Sequence, residues 1–438
     1  MAHQGRSSLE SNYPMNISIP SRRAFASWQI VAVLSILGGA AFAHSFNYIT
    51  ANLDSDIPGV AYQTDPLLVN PWGIVTGVEG NIHTSDDATG VSTLYDPKGN
   101  LIAFSGTFHS ITIPFVTGTL GAPTGVADNQ EALLSTSTDD FPITSGTVVG
   151  SSNFIYATED GVIAGFNNQV DPSAAITGTS VAGAGFTGIC ISWSGTDSEL
   201  SQLGHEAFVT DFANGQVDVF NNKWQQQVTG TAAFVDPNLP TPPLNEAWSP
   251  FNIHTLDFNG KVVDNPPSKN KIRHLLLVTY ALHSTLADKL NDIPGSGNGY
   301  VAMFDTGGNF IKQLDFASDV LNSPWGISVA HHPMPGFSAP LVVFVANHGD
   351  GTIHAYGVVP HFPNLDAALG PVMKDDAGDL LTIDSLWGLR FASVKESIAA
   401  YIADQGADLK EDTNDWYFSA GIVGETHGLL GHIITPAH

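Results

Sequence analysis

Cysteine is almost missing from this 438-residue chain: Cys190 stands alone, so neither an intramolecular disulfide nor a cysteine-based zinc or iron–sulfur site can form. It lies in the apolar run Gly188-Ile189-Cys190-Ile191, where it reads as a small buried hydrophobe. Charged residues are scarce at 13%, and basic ones scarcest: 15 Lys and Arg face 42 Asp and Glu, for a net charge of −27. Such a surface repels phosphate backbones and anionic membranes, which argues against nucleic acid as a partner. Amphipathic helical patterns are nearly absent, with one candidate at Ser393 to Ala403. P-loop, dinucleotide, His-Glu-x-x-His and Gly-x-Ser-x-Gly fingerprints are missing too. What the chain has in quantity is Gly (44), Pro (26) and 43% hydrophobic residues. That mixture suits many short strands joined by turns around a sizeable core, and does not suit disorder.

One long, mostly apolar run occurs, from Trp28 to Ala43, preceded by Ser21-Arg22-Arg23-Ala24-Phe25 and ending in Ala41-Phe42-Ala43. Basic residues, an apolar stretch and a small-x-small exit predict an export signal over 1–43, cleaved after Ala43. The paired arginines resemble a twin-arginine signal; a general secretory signal or an uncleaved anchor are the alternatives. Export places the mature chain in the periplasm or outside the cell, with no membrane contact after cleavage. Losing Arg6, Arg22, Arg23 and Glu10 leaves 12 basic and 41 acidic residues, a charge of −29.

A short module recurs six times: Asn70-Pro71-Trp72-Gly73-Ile74, Ala122-Pro123-Thr124-Gly125-Val126, Gly185-Phe186-Thr187-Gly188-Ile189, Ser249-Pro250-Phe251-Asn252-Ile253, Ser323-Pro324-Trp325-Gly326-Ile327 and Ser385-Leu386-Trp387-Gly388-Leu389. Each is followed by a β-rich run ending in a polar residue, as in Ile82 to Asp86 or Phe344 to Asn347, then a Gly-containing turn and another strand. A four-stranded blade cannot bury both faces alone, so repeated blades stack around an axis, with Trp and Phe wedged between them. The chain is therefore expected to be all-β, a six-bladed propeller over 44–438. The last repeat ends near Ile434 without an outer strand, while Phe46 to Leu53 is a spare one. Pairing of that N-terminal strand into the last blade would close the ring and leave no open sheet edge. Excursions at 131–149, 226–247, 283–298, 358–383 and 394–414 are expected to be loops.

The repeat column is similar to NHL repeats. More specifically, Leu68-Val69-Asn70-Pro71-Trp72-Gly73, Leu321-Asn322-Ser323-Pro324-Trp325-Gly326, Asn347-His348-Gly349-Asp350-Gly351, Leu386-Trp387-Gly388-Leu389 and His427-Gly428-Leu429-Leu430-Gly431 resemble an uncharacterised family of exported propellers in bacteria and some fungi. The resemblance implies a propeller and carries no established activity. Where that family has Phe before the Gly-Asp-Gly turn, this chain has His348.

In a blade, the start of the inner strand and the end of the second strand open on one face, so these positions should meet at the axial mouth. They are Asn70, Asp86, Glu159, Asp211, Asn252, Tyr280, Asn322, Asn347, His348 and Asp384, with His283 and His427 close in sequence. No cofactor is required by any motif. Oxygen ligands from Asn70, Asp86, Glu159, Asp211, Asn252, Asn322 and Asn347 would suit Ca²⁺ or another divalent cation, as in six-bladed lactonases and gluconolactonases. His283 or His427 would then serve as general base for ester or lactone hydrolysis. The same Asp and Asn positions also suit a purely structural role, capping the turn that follows through backbone N–H groups. Two readings stay open: a binding module whose polar axial pocket takes a small molecule, glycan or protein, and a metal-dependent hydrolase of lactonase or esterase type. Residues 283–298, with Asp288 and Asp292, are either a lid over the mouth or a solvated extension.

Overall fold

The computed structural model describes residues 47–434 apart from 78–79, 117–120, 130–138, 194–196, 199–204, 260–271, 287–288, 315–318, 331–333, 335–336, 362–363 and 393–414. The leader and the helix candidate at Ser393 to Ala403 lie outside the described residues. No helix among the described residues is long and apolar enough to cross a membrane.

The six modules start the inner strands of six antiparallel sheets. Blade 1 runs Pro71–Thr76, Ile82–Asp86, Val91–Tyr95 and Ser110–Thr112, and blade 2 Pro123–Asp128, Phe154–Thr158, Val162–Phe166 and Ile176–Ser180. Blade 3 has three strands among the described residues: Phe186–Trp193, His205–Asp211 and Gln216–Asn221. Blade 4 comprises Glu246–Asn259, Ile272–Ser284, Gly299–Asp305 and Phe310–Gln313; blade 5, Pro324–Ala330, Leu341–Asn347, Ile353–His361 and Asn364–Leu369. Blade 6 is built from Leu386–Phe391, Trp416–Ala420 and Leu429–Ile434, and takes its outer strand, Asn47–Ser55, from the other end of the chain. That strand pairs antiparallel with Leu429–Ile434, from Ile49 opposite Ile434 to Ser55 opposite Leu429, and closes the ring.

The glycine of the module explains how six inner strands share one axis. A Cβ on Gly73 would come 2.7 Å from the Thr124 carbonyl of blade 2, and one on Gly388 would come 2.7 Å from the Trp72 carbonyl of blade 1. No side chain fits there, so the residue is fixed by close approach of backbones. Blade 4 carries Asn252 at this place. Its amide donates to the Trp325 carbonyl of blade 5 at 2.8 Å, replacing backbone contact with a hydrogen bond.

Two excursions hold more structure than a loop. Residues 358–383 contain the outer strand of blade 5, Asn364–Leu369, and 131–149 overlaps a hairpin, Pro142–Ser145 with Val148–Ser151. Asn364–Leu369 has no β-branched residue, so pairing with a neighbour rather than propensity makes it a strand, whereas the hairpin carries Ile143, Thr144, Thr147, Val148 and Val149.

The closing seam is acidic inside. Asp54, Asp65 and Asp86 are each at most 3% exposed. The Thr93 hydroxyl lies 2.7 Å from Asp86 Oδ2 and 2.9 Å from the Tyr95 hydroxyl, which donates to Asp65 Oδ2 at 2.8 Å. Burial, together with the nearby Asp65 charge, pushes the Asp54 carboxyl up to about 7. A carboxyl that keeps its proton in the folded chain but loses it near 3.8 when unfolded stabilises the fold most at low pH. That contribution is lost as pH rises from about 4 through 7. The Asp54→Asn variant is therefore expected to lose part of the fall in melting temperature between pH 4 and pH 8, by an amount on the order of 2 kcal/mol in stability. Identical pH–melting curves for both proteins would contradict this.

Candidate functional site

The mouth of the ring, where the modules begin, is closed by aromatic side chains. Trp72, Phe212, Phe251, Trp325 and Trp387 form one buried cluster with Ala281. Trp72 and Trp387, from blades 1 and 6, stack at 3.6 Å between centroids and 15° between planes, and Trp325 meets both edge-on. The indole N–H of Trp325 donates to the Thr187 carbonyl of blade 3 at 3.0 Å, across the axis. The proline of the module starts the strand at the position where a missing N–H does no harm. Before it, Asn70 and Ser323 hold positive φ values of +49° and +46°, and Ser385 one of +44° before Leu386. This left-handed kink aims the next side chain but one, Trp72, Trp325 or Trp387, at the axis.

His348 lies on this floor. Its ring stacks on Trp387 at 3.7 Å and 14°, Nδ1 lies 3.4 Å from Asp292 and Nε2 3.3 Å from Glu425. Burial alone would lower its pKa, but the two carboxylates outweigh burial and raise it to about 9. Three elements meet here: Asp292 from the insertion in blade 4, His348 from the turn after the second strand of blade 5, and Glu425 from the matching turn of blade 6. Residues 289–298 of the insertion thus pack across the mouth, while Asp288 lies outside the described residues. Ile293 N–H donates to the Leu282 carbonyl, Gly295 N–H to Asn322 Oδ1 at 2.6 Å, and Leu290 lies against Gly185 of blade 3. Beside this cage, burial and the Glu425 charge, against the hydrogen bond from Asn70, raise the Asp87 carboxyl to about 7.

The residues expected at the mouth are engaged within the fold. Asn70 accepts from the Trp387 indole at 3.1 Å and donates to Asp87 Oδ2 at 3.2 Å. Asp211 accepts from the backbone of Gly185 at 3.0 Å and from Asn214 Nδ2 at 2.7 Å, capping its own turn. Asn347 donates to the Val320 carbonyl, Asp350 and Thr352, and accepts from the Asn322 N–H at 3.1 Å. Asn322 donates to Asp350 Oδ2 at 3.2 Å. Glu159 is half-buried, its N–H donating to the Ala122 carbonyl. Asp384 accepts from Val423 N–H at 2.9 Å. Asp86 belongs to the closing seam, where burial raises its carboxyl well above the ordinary range. Tyr280 is a correction: its hydroxyl donates to the Phe234 carbonyl at 2.6 Å, and its ring packs with Phe208 and Phe304 between blades 3 and 4. The register shift between Pro250 and Asn252 in the neighbouring strand leaves Tyr280 opposite Pro250, and its ring lies inside the seam. Among the described residues, no group of three or more His, Cys, Asp or Glu is placed to hold a metal ion.

The two histidines differ. His283 is 4% exposed and packs against Phe212, and burial lowers its pKa. His427 has a side chain 40% exposed, and its Nδ1–H donates to Asp56 Oδ2 at 2.6 Å while Asp56 Oδ1 accepts from Gly428 N–H. This arrangement sets the ring's tautomer and leaves Nε2 outside the pair. Asp292 and Glu425 meet His348 across three blades, and Asp56 meets His427 across the two ends of the chain, so none of these pairings follows from the repeat.

No known family profile matches the chain. It is similar to two uncharacterised proteins of Acanthamoeba polyphaga mimivirus, 27% identical over 94% of this chain and 81% of the relative, and 26% identical over 94% and 87%. These relatives are viral, not the bacterial or fungal proteins that the resemblance had led us to expect. Among solved structures, virginiamycin B lyase from Staphylococcus aureus is similar in fold over 89% of this chain and 99% of its own, with a TM-score of 0.41 and 8% identity.

The cage around His348 makes a spectroscopic prediction. An NMR titration should give this ring a midpoint near 9, falling towards 6.5 in Glu425→Gln, since one of two opposing charges is gone. A wild-type midpoint at or below 6.5 would contradict the charged cage.

Proposed function

We propose that this chain is an exported propeller, periplasmic or extracellular, that binds a cationic ligand at its axial mouth: an amine- or guanidinium-bearing small molecule, glycan or protein. The observation that carries this reading is the His348 cage. An imidazolium lies there against one indole face and two carboxylates, the surroundings a planar cation seeks. Asp350 and Asp384, exposed on the turns of blades 5 and 6, make the rim acidic as well as aromatic. Glu425 has a side chain 40% exposed and is the member of the cage best placed to meet a ligand. The tryptophan stack keeps the ligand at the rim. The net charge of −27 favours cations at long range and disfavours nucleic acid and anionic membranes.

Calorimetric titration of agmatine into the mature protein at low salt tests this. Saturable binding that weakens with salt, and weakens about tenfold in Glu425→Gln, is expected for loss of one charge-assisted contact. Absence of binding, or equal affinity in the variant, would count against it.

The hydrolase reading draws on one observation, the Asp56–His427 pair, an oriented imidazole of the kind that serves as general base. It requires that the same preparation hydrolyse a simple lactone with Ca²⁺ supplied and that His427→Gln abolish the activity.

A further inference from the structure

Behind the tryptophan stack, the axis opens into a cavity of about 60 Å³, lined by the inner strands of all six blades. Its wall is aliphatic around the ring: Ile74, Val126, Ile189, Ile253, Ile327 and Leu389. Three polar side chains interrupt it. Asn252 is spent on the Trp325 carbonyl and on the Ile253 N–H, and His254 Nδ1 is paired with the Thr255 carbonyl at 2.7 Å. Arg390 differs. Among the described residues its guanidinium makes one hydrogen bond, from Nε to Thr76 Oγ1 at 3.3 Å, and no Asp or Glu lines the cavity. A guanidinium has five N–H donors, so the fork at its outer end is left for another acceptor. In a chain with 42 acidic residues, a half-buried cation lining the cavity with no carboxylate paired to it among the described residues is a donor set without its acceptor.

We propose that this cavity binds a small planar monoanion, a carboxylate of formate or acetate size, on the Arg390 guanidinium. One water needs about 10–15 Å³ of such space, so the volume takes roughly four or five water-sized positions, the bulk of three or four heavy atoms. The planar fork matches a carboxylate through two parallel N–H···O bonds. The aliphatic wall accepts a methyl group and excludes the water that would compete for the charge. Arg390 is half-buried near the end of its strand away from the tryptophans, and His254 beside the cavity is half-buried too, so the anion enters from the face opposite the mouth. The inference does not rest on the cation site proposed for the mouth.

The test is the melting temperature of the mature protein in sodium acetate, with sodium chloride at equal ionic strength as the reference. A saturable rise, half-maximal in millimolar acetate, is expected in the wild type. It should be lost in Arg390→Gln and weakened about tenfold in Arg390→Lys, which keeps the charge but not the fork. Saturation-transfer NMR on the unmutated protein, with magnetisation passing to the acetate methyl group, gives a readout that does not depend on a variant folding. No transfer in the wild type, a chloride series that matches acetate, or an undiminished acetate response in a folded Arg390→Gln protein would each overturn the assignment.

Discussion

The contact between Trp72 and Trp387 is the constraint on which the rest of this structure depends. The chain passes from the outer strand of blade 6 through residues 56–70 into blade 1, so the ring is held shut by the pairing of that strand within blade 6 and, at the axis, by the contact between blades 1 and 6. At its outer side the closing strand pairs with Leu429–Ile434; at the axis two indoles lie face to face at 3.6 Å. The approach is possible because Gly388 lets its strand reach the Trp72 carbonyl, which also accepts a hydrogen bond from Ser419 at 2.6 Å. Offset aromatic pairs add about 0.5–1.5 kcal/mol beyond the area they bury. Here the pair also sets the floor on which His348 lies.

Polar residues at the mouth follow from that floor. Asn70 is spent on the Trp387 indole, Asn322 and Asn347 on the turn that carries His348, and Asp211 on its own turn. The repeated polar column thus serves the ring first. Other charged side chains lie outside that column: Asp292 and Glu425 on either side of His348, and Arg390 on the far side of the aromatic layer. A floor of indoles separates an acidic rim from a cavity whose one charge is positive, so the two ends of a single axis differ in sign.

Much of the architecture was legible in the sequence. Six modules with Trp, Phe or Thr ahead of Gly or Asn name the inner strands, and the spare strand ahead of the first module closes the last blade. The site was legible only in outline. Asn70 and Trp387 are 317 residues apart and Asp56 and His427 371 apart, distances at which no periodicity or spacing carries a signal. His348 stood out as a departure from Phe, but its partners come from an insertion in blade 4 and from the turn after the second strand of blade 6. Tyr280 holds the place of Asp86 and Asn347, opposite the proline of its module, but its aromatic ring is buried between blades 3 and 4 with the hydroxyl spent on the Phe234 carbonyl. The outer strand Asn364–Leu369 reads Asn-Leu-Asp-Ala-Ala-Leu, with no β-branched residue, and is a strand because a paired edge waits for it.

A double-mutant cycle on the axial pair tests the central claim most directly. Urea unfolding of the wild type, Trp72→Leu, Trp387→Leu and the double variant measures whether these residues, 315 positions apart, act as one contact. The stacked seam predicts a coupling of about 1 kcal/mol or more, the double variant losing less than the two single losses together. Strict additivity would mean that the two indoles do not meet, and the ring would not be closed as described.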